Sequence, residues 1–277
     1  MNTSPIPDPS APLRSPVLGH RVMPRYAGAR TIMAMCLREI SSQNSGFAGG
    51  YLWSLIMPVI SIIALVLVFS AISRTPPIGH DFAIFYATGV LPFTMFRNMS
   101  SKMEWSVQRA RNLLNFPRVT FFDVFLASFL VTFGTQIIIT VIIMAAILGM
   151  YDTDTTFDLF GSAEVYLTAA FLGTGVGLTN LAIKTKFPLW EFIWSFATRP
   201  LLFISGIIIL VESLPRPYSD WLMLNPLVHI TGRMRDLTYV DYNGAYASLF
   251  YANQIALVLN FVGLFAIFLF SREILDQ

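Results

Sequence analysis

The sequence predicts an all-α, polytopic membrane protein with six transmembrane helices, and three observations carry that. Of its 277 residues, 55% are hydrophobic, with a mean hydropathy of +0.63. Charged residues make up 12%, about half the roughly 25% usual in soluble domains. The apolar residues gather in runs of near-spanning length, which a bilayer accommodates and a soluble core of this size does not.

Residues 1–28 read as a disordered cytoplasmic tail. Met1–Pro24 holds six prolines and no apolar h-region, so no cleavable signal peptide is expected and the first span acts as an uncleaved anchor. Residues 29–50 form the second region, an amphipathic interface helix. Ile32, Cys36 and Ile40 recur every four residues, with Met33 and Leu37 beside them. Arg30, Arg38, Ser41 and Ser42 fall toward the other side, a pattern suited to a membrane surface.

Residues 51–277 form the six-helix transmembrane domain. Its spans are expected at Trp53–Ile72, Phe82–Phe96, Val124–Leu148, Val165–Ile183, Phe192–Val211 and Leu249–Phe270. The second is short against the ~20 residues a spanning helix needs. Loop charge sets the orientation. With the tail inside, inner segments hold 13 of the 18 basic residues, from Arg14 through Arg97, Lys102, Arg109, Arg111 and Arg118 to Lys184, Lys186 and Arg272. Arg74, Arg216, Arg233 and Arg235 fall outside, and Arg199 lies within the fifth span. Both termini are therefore expected in the cytoplasm of a bacterium, with the chain in its inner membrane.

The outer segment Glu212–Ser248 carries an apolar stretch, Trp221–Ile230, around Asn225-Pro226. It is too short to span. A re-entrant outer hairpin before the last span is the natural reading, and a loop helix packed on the outer surface is the other.

The motifs that are missing narrow the function. There is no P-loop, no nucleophile elbow and no pair of carboxylates inside a span. Ion-driven carriers place Asp, Glu or His within spans, and these spans nearly lack them, so the energy is expected to come from another chain. Cys36 is the only cysteine, which forbids an internal disulfide. His20, His80 and His229 are far apart and match no metal-ligand spacing.

Four constellations remain. Arg199, before Pro200, either lines a polar path for an anionic group or snorkels to the headgroups. The inner loop Arg97–Arg118 either presents a short amphipathic helix, Met103–Leu114, to a partner protein or is a solvated basic loop. Phe82, Phe85, Tyr86, Gly89, Phe93 and Phe96 share a face of the second span. Such a face suits the apolar C–H faces of sugars, and equally suits packing against other helices. Gly173 and Gly177 fit close helix packing.

The order of these elements is familiar. Leu37-Arg38-Glu39-Ile40, Gly50-Tyr51-Leu52-Trp53-Ser54-Leu55 and Pro58 resemble the interface helix and first span of the polysaccharide-export permeases of ABC transporters. Arg199-Pro200-Leu201-Leu202-Phe203-Ile204-Ser205-Gly206, ending at Leu214-Pro215, resembles their fifth span. Asn225-Pro226-Leu227-Val228-His229 resembles the segment before their last span. The similarity runs from about residue 30 to the C-terminus and favours the capsular-polysaccharide branch. Gly232 stands where the family often has Glu, and Ser41, Ser42 and Gln43 where a basic residue is common.

The resemblance implies a homodimer, a separate ATPase subunit that binds ATP and Mg, and a channel for a lipid-linked glycan. This chain then binds no cofactor itself and is not an enzyme. Its other expected partners are periplasmic and outer-membrane export proteins, and no nucleic acid. The substrate path is expected at Tyr86, Phe93, Phe96 and Arg199. ATPase coupling is expected at Trp105, Arg109 and Arg111, and the outer gate at Trp221, Asn225, Pro226 and His229. Export of O-antigen or a teichoic-acid-like polymer is the alternative within the class. Outside it stands a membrane transferase acting on lipid-linked sugars, whose acids would be Asp152, Asp154, Asp158 and Glu164.

The topology is testable in a Cys36→Ser background. Asp154→Cys is expected to react with an impermeant maleimide from the outside, and Asn112→Cys only after the inner face is opened. The opposite pattern reverses the orientation.

Overall fold

The computed structural model describes residues 27–44, 50–72, 75–114, 119–151 and 158–276. The tail expected over residues 1–28 lies outside them except for Ala27 and Gly28, which open the first helix. Among the described residues the chain is all-helical, without strands.

Helix α1 (Ala27–Asn44) is amphipathic, and its apolar residues divide in two. Met35 is buried with Ala110, Val124 and Ala127, and Cys36 packs on the same cluster. Burial, reinforced by Glu39, pushes the Cys36 thiol up from its ordinary value. Met33, Leu37 and Ile40 stay exposed, as a helix lying on a membrane surface requires.

Helix α2 (Gly50–Ile72) carries the apolar stretch Ile56–Ile72. Helix α3 (Phe82–Glu104) is longer than the expected Phe82–Phe96. The polar residues after Phe96 end the hydropathy signal without ending the helix, because Met99 and Met103 continue the buried stripe. Trp105 breaks the helix, and α4 (Ser106–Leu114) follows. Val107 and Ala110 are its buried face.

Helix α5 (Phe121–Met150) starts at a capping box, in which Thr120 accepts from the Asp123 amide and Asp123 accepts from the Thr120 amide. Helix α6 (Leu159–Lys186) starts at Asp158, whose carboxylate accepts from Phe160 N at 3.0 Å. Helix α10 (Leu249–Leu269) starts at Ser248 and leads to the short α11 (Ser271–Asp276). Helices α5, α6 and α10 are each long and apolar enough to cross a membrane.

Helix α6 is the core of the bundle, packed between α3 and α10. Small residues make this possible. A Cβ at Gly173 or Gly177 would collide with the α3 backbone at Phe96 or Ser100. A Cβ at Gly175 would meet Asn260 of α10, and one at Gly263 of α10 would meet Leu178.

The fifth expected span, Phe192–Val211, is interrupted. Helix α7 (Trp190–Ile204) has 15 residues, about 22 Å at 1.5 Å each, against a hydrocarbon core of ~30 Å. It stops because Ser205 leaves the helical region and Gly206 takes φ +71°, which glycine tolerates and other residues resist. The chain then runs through the turn Val211–Ser213 and α8 (Tyr218–Leu222) to α9 (Pro226–Thr238).

The carbonyls freed at the end of α7 are met by α9. Asn225 Nδ2 donates to Ile204 O at 3.1 Å, and Thr231 Oγ1 donates to Ser205 O at 2.8 Å. Arg235 donates to Gly206 O at 2.7 Å and to Ile207 O at 2.8 Å. Its guanidinium sits 4.1 Å from the Phe85 ring centre, and the side chain is 1% exposed. Among the described residues no carboxylate pairs with it. Backbone carbonyls and an aromatic face therefore stand in for water around a buried charge.

Arg235→Ala strands two buried carbonyls and is expected to destabilise the solubilised subunit by about 2–4 kcal/mol in thermal unfolding. Arg235→Lys is expected to restore little of this, since an ammonium cannot fork to both carbonyls. Full rescue by Lys would show that charge alone matters.

Candidate functional site

A polar cleft of about 390 Å³ opens between α3 and α7 at the end of the bundle that carries Arg97, Lys102, Lys184 and Lys186. Phe96, Trp105 and Trp194 supply its aromatic surface; Arg97, Asn98, Ser101, Glu104, Glu191 and Thr198 are among its polar lining. Aromatic faces beside hydroxyls and mixed charges suit a polyhydroxylated ligand more than a purely apolar one.

Lys184 of α6 ties this corner together. Its ammonium lies 3.1 Å from Glu191 of α7 and 3.8 Å from Glu104 of α3. It also sits 2.9 Å from the centre of the Trp105 ring, at the joint between α3 and α4. One partly buried cation therefore holds three helices and the joint to a fourth. Nearby, Trp190 Nε1 donates to Asn180 Oδ1 at 3.0 Å, fixing the start of α7 on α6.

Trp105 and Arg109, expected as coupling residues, are engaged within the subunit. Arg109 lies 3.3 Å from Glu39 of α1 and donates to Lys102 O at 2.7 Å. Its own carbonyl accepts from Arg38 at 3.0 Å. Burial lowers the Arg109 pKa, and Glu39 opposes that shift. Helix α4 is thus clamped to α1, while Arg111 is exposed.

The substrate-path residues separate. Tyr86 is buried among Phe69, Phe82 and Phe85, with ring centres 5.2–6.2 Å away. Phe93 is also buried, 6.3 Å from Phe96. These two rings pack inside the subunit, the second of the readings open for the aromatic stripe. Phe96 alone of the three reaches the cleft. Arg199 is exposed on α7, one residue past the cleft-lining Thr198, and has no partner among the described residues.

The outer-gate residues cluster where α7 ends. Asn225 caps α9, accepting from Leu227 N at 3.0 Å, and Pro226 occupies the first turn, where its missing N–H costs nothing. His229 is buried. Its Nε2 lies 2.7 Å from Met223 O, and its Nδ1 lies 3.1 Å from Tyr246 O and 3.2 Å from Ser248 N, which donates to it. The Tyr251 ring lies 4.9 Å from it, edge-on. His229 therefore pins α9 both to the turn before it and to the start of α10. Trp221 is exposed.

Three important residues carry no such role in the sequence reading. Lys184 and Glu104 meet only through the pairing of α3 with α6, which no local pattern announces. Arg235 is visible as a charge nine residues after Pro226, but its partners lie some thirty residues earlier. Gly232, where a Glu is common in the resembling permeases, has the Tyr246 phenol in its side-chain space.

Among the described residues no three His, Cys, Asp or Glu side chains could hold a metal ion. Asp158 is a helix cap, and Asp152 and Asp154 lie outside the described residues.

Comparison with known proteins agrees. Over 237 residues the chain is 28% identical to the polysialic acid transport protein KpsM of Escherichia coli, covering 84% of this chain and 91% of that one. Over 248 residues it is 25% identical to the capsule polysaccharide export inner-membrane protein CtrC of Neisseria meningitidis serogroup A, covering 90% and 94%. The same identity and coverage hold for the capsule polysaccharide export inner-membrane protein BexB of Haemophilus influenzae. Residues 30–239 match the family described as ABC-2 type transporter, which is most of the chain. The chain therefore belongs to the ABC-2 type transporter family, as the membrane subunit of a transporter and not an enzyme.

Proposed function

We propose that this chain is the permease subunit of an ATP-driven exporter that moves a lipid-linked capsular polysaccharide outward across the bacterial inner membrane. The observation that carries the substrate class is the nearly full-length similarity to three proteins named for polysialic acid transport or capsule polysaccharide export. The α3–α7 cleft, with aromatic and hydroxyl surfaces together, fits a sugar polymer.

In this reading the chain crosses the membrane six times, through α2, α3, α5, α6, α10 and the segment Phe192–Val211 that α7 opens. Residues 1–28, 29–50 and 51–277 are then tail, interface helix and transmembrane domain. The basic end is cytoplasmic, with both termini on that side. Helices α8 and α9 form the re-entrant outer hairpin, and Trp221, Asn225, Pro226 and His229 belong to the outer gate. A homodimer is supported by α7, which buries no residue within one subunit and exposes Phe192, Ile193, Phe196 and Phe203.

Energy comes from a separate ATPase that binds ATP and Mg. Its docking surface is the exposed face of α4, including Arg111. Trp105 and Arg109 transmit force: Arg109 to α1, and Trp105 through Lys184 to α7. Phe96 and Arg199 flank the entrance to the path, while Tyr86 and Phe93 keep α3 rigid behind it. Periplasmic and outer-membrane export proteins receive the polymer.

Deleting the chain is expected to abolish surface polysaccharide and leave polymer inside the cell, and an ATPase is expected to copurify with it. Unchanged surface polymer in the deletion strain would refute the reading.

Coupling has its own test. Trp105→Ala and Lys184→Met are each expected to reduce export roughly tenfold, equivalent to ~1.4 kcal/mol, while membrane insertion persists. Because both remove the Lys184–Trp105 contact, the double variant is expected to be no worse than Lys184→Met, which also loses Glu104 and Glu191. Additive losses would mean that Trp105 and Lys184 act separately.

A further inference from the structure

A second polar cavity, of about 210 Å³, lies where α2, α3 and α5 meet. Arg97 and Lys102 of α3 line it, with the neutral amides Asn98 and Gln136 and the hydroxyl of Thr132 beside them. The helices that form this cavity bring no charge to match the two cations. Between Glu39 and Asp81 the sequence contains no acid, so α2 supplies none. The only acid of α3 is Glu104, which faces the cleft beside α7 and meets Lys184. The only acid of α5 is Asp123, which closes the capping box with Thr120. Glu39 of α1 also attracts Lys102, but its carboxylate is paired with Arg109 at 3.3 Å. Among the described residues neither Arg97 nor Lys102 has an ion-pair partner.

Thr132 adds a second, independent sign. Helical threonines in this chain turn their hydroxyls back to the carbonyl three or four residues earlier, as Thr88, Thr94 and Thr174 do at 2.7–2.9 Å. Thr132 is 4% exposed, and its hydroxyl has no hydrogen-bond partner among the described residues. It lines the cavity from α5, whereas both cations come from α3. A buried hydroxyl left unpaired is costly, and an anion in the cavity would relieve it.

Charge selects among anions. A carboxylate or a halide brings one negative charge to two cations. A phosphate monoester carries about −1.5 to −2 near pH 7 and three strong acceptor oxygens, so it can take from both cations and from Thr132 together. The amide groups of Asn98 and Gln136 can donate as well. The volume admits one such group and a few waters of ~30 Å³ each.

We propose that this cavity binds a phosphate monoester group, held by Arg97 and Lys102 and by the Thr132 hydroxyl. The bound group ties α5 to the last turns of α3. It does so beside the clamp between α1 and α4, because the Lys102 carbonyl accepts from Arg109 at 2.7 Å. The group can arrive as free inorganic phosphate or as the headgroup of phosphatidic acid, and the recognising chemistry is the same.

The test uses the purified full-length chain in detergent, with chloride as the only other anion. Calorimetric titration with inorganic phosphate is expected to show one site per subunit, and potassium chloride at matched ionic strength none. Native mass spectrometry then compares phosphatidic acid with phosphatidylcholine of identical acyl chains. Saturable phosphate binding upholds the proposal with the free anion as ligand. Retention of phosphatidic acid alone, above phosphatidylcholine, upholds it with a lipid headgroup as ligand. In either case Lys102→Gln and Thr132→Val are expected to weaken binding roughly tenfold and Lys102→Arg to preserve it. Thr132→Val, which keeps the side-chain shape, carries the test where Lys102→Gln fails to fold. Lys186→Gln, a charge outside the cavity, is expected to change nothing. Binding of neither probe overturns the proposal, as does binding that Lys102→Gln and Thr132→Val leave intact or that Lys186→Gln weakens equally.

Discussion

A helix that ends against other protein leaves carbonyls with no donor of their own helix, and the part of this subunit beyond α7 is arranged around that constraint. Helix α7 stops at Ile204, and the carbonyls of residues 204–207 are taken by Asn225, Thr231 and Arg235. That requirement fixes where α9 lies. The position of α9 then fixes its neighbours through His229, which reaches Met223 before the helix and Ser248 beyond it. The cost is a guanidinium buried with no carboxylate against it. Two charged hydrogen bonds at ~1.5–3 kcal/mol each, and a desolvated contact with Phe85 of ~2 kcal/mol, are of the size needed to offset it.

The opposite end of α7 is held by different chemistry. Glu191 meets Lys184, and Trp190 meets Asn180. Between these two anchors α7 buries nothing within the subunit. Leu201 and Leu202 pack partly against the core, so α7 is held mainly at its ends and near its last turn. Lys184 also touches Trp105, so the joint before α4 and the start of α7 share one ammonium at the edge of the close-packed α3–α6–α10 core. Glycine contacts make that core stiff, and the cation makes the corner adjustable.

Periodicity and loop charge made most of the helices legible. The helices α2, α5 and α10 begin and end within three residues of their expected apolar runs, while α6, packed between α3 and α10, starts six residues before Val165. The signal failed where the two properties part. Helix α3 continues through Arg97, Asn98, Ser100, Ser101 and Lys102 because its partners there are protein and cavities instead of lipid. The end of α7 was hidden for the opposite reason: Ile207–Val211 is apolar enough to pass for helix, and only Gly206 and the distant Arg235 stop it. The candidate site was legible in part. Phe96 and Trp105 line the cleft and Arg199 stands one residue past it, while Lys184, Glu104 and Glu191 arrive by long-range packing. Tyr86 and Phe93 had the right spacing for a track and the wrong neighbours, since an aromatic stripe looks the same whether it faces sugar or other helices.

The last turns of α3 show where its polar residues go. Met99 and Met103 are buried on the side that the α6 glycines approach. Phe96, Ser101 and Glu104 turn to the cleft beside α7, while Thr94 and Lys102 turn to the cavity beside α2 and α5. Arg97 and Asn98 border both. Each polar group therefore lies at a cavity or an ion pair, the only settings in which a bilayer tolerates it at modest cost. The polar chemistry of α3 is concentrated at the end beside α4, where Lys184 ties Glu104 to α6 and α7.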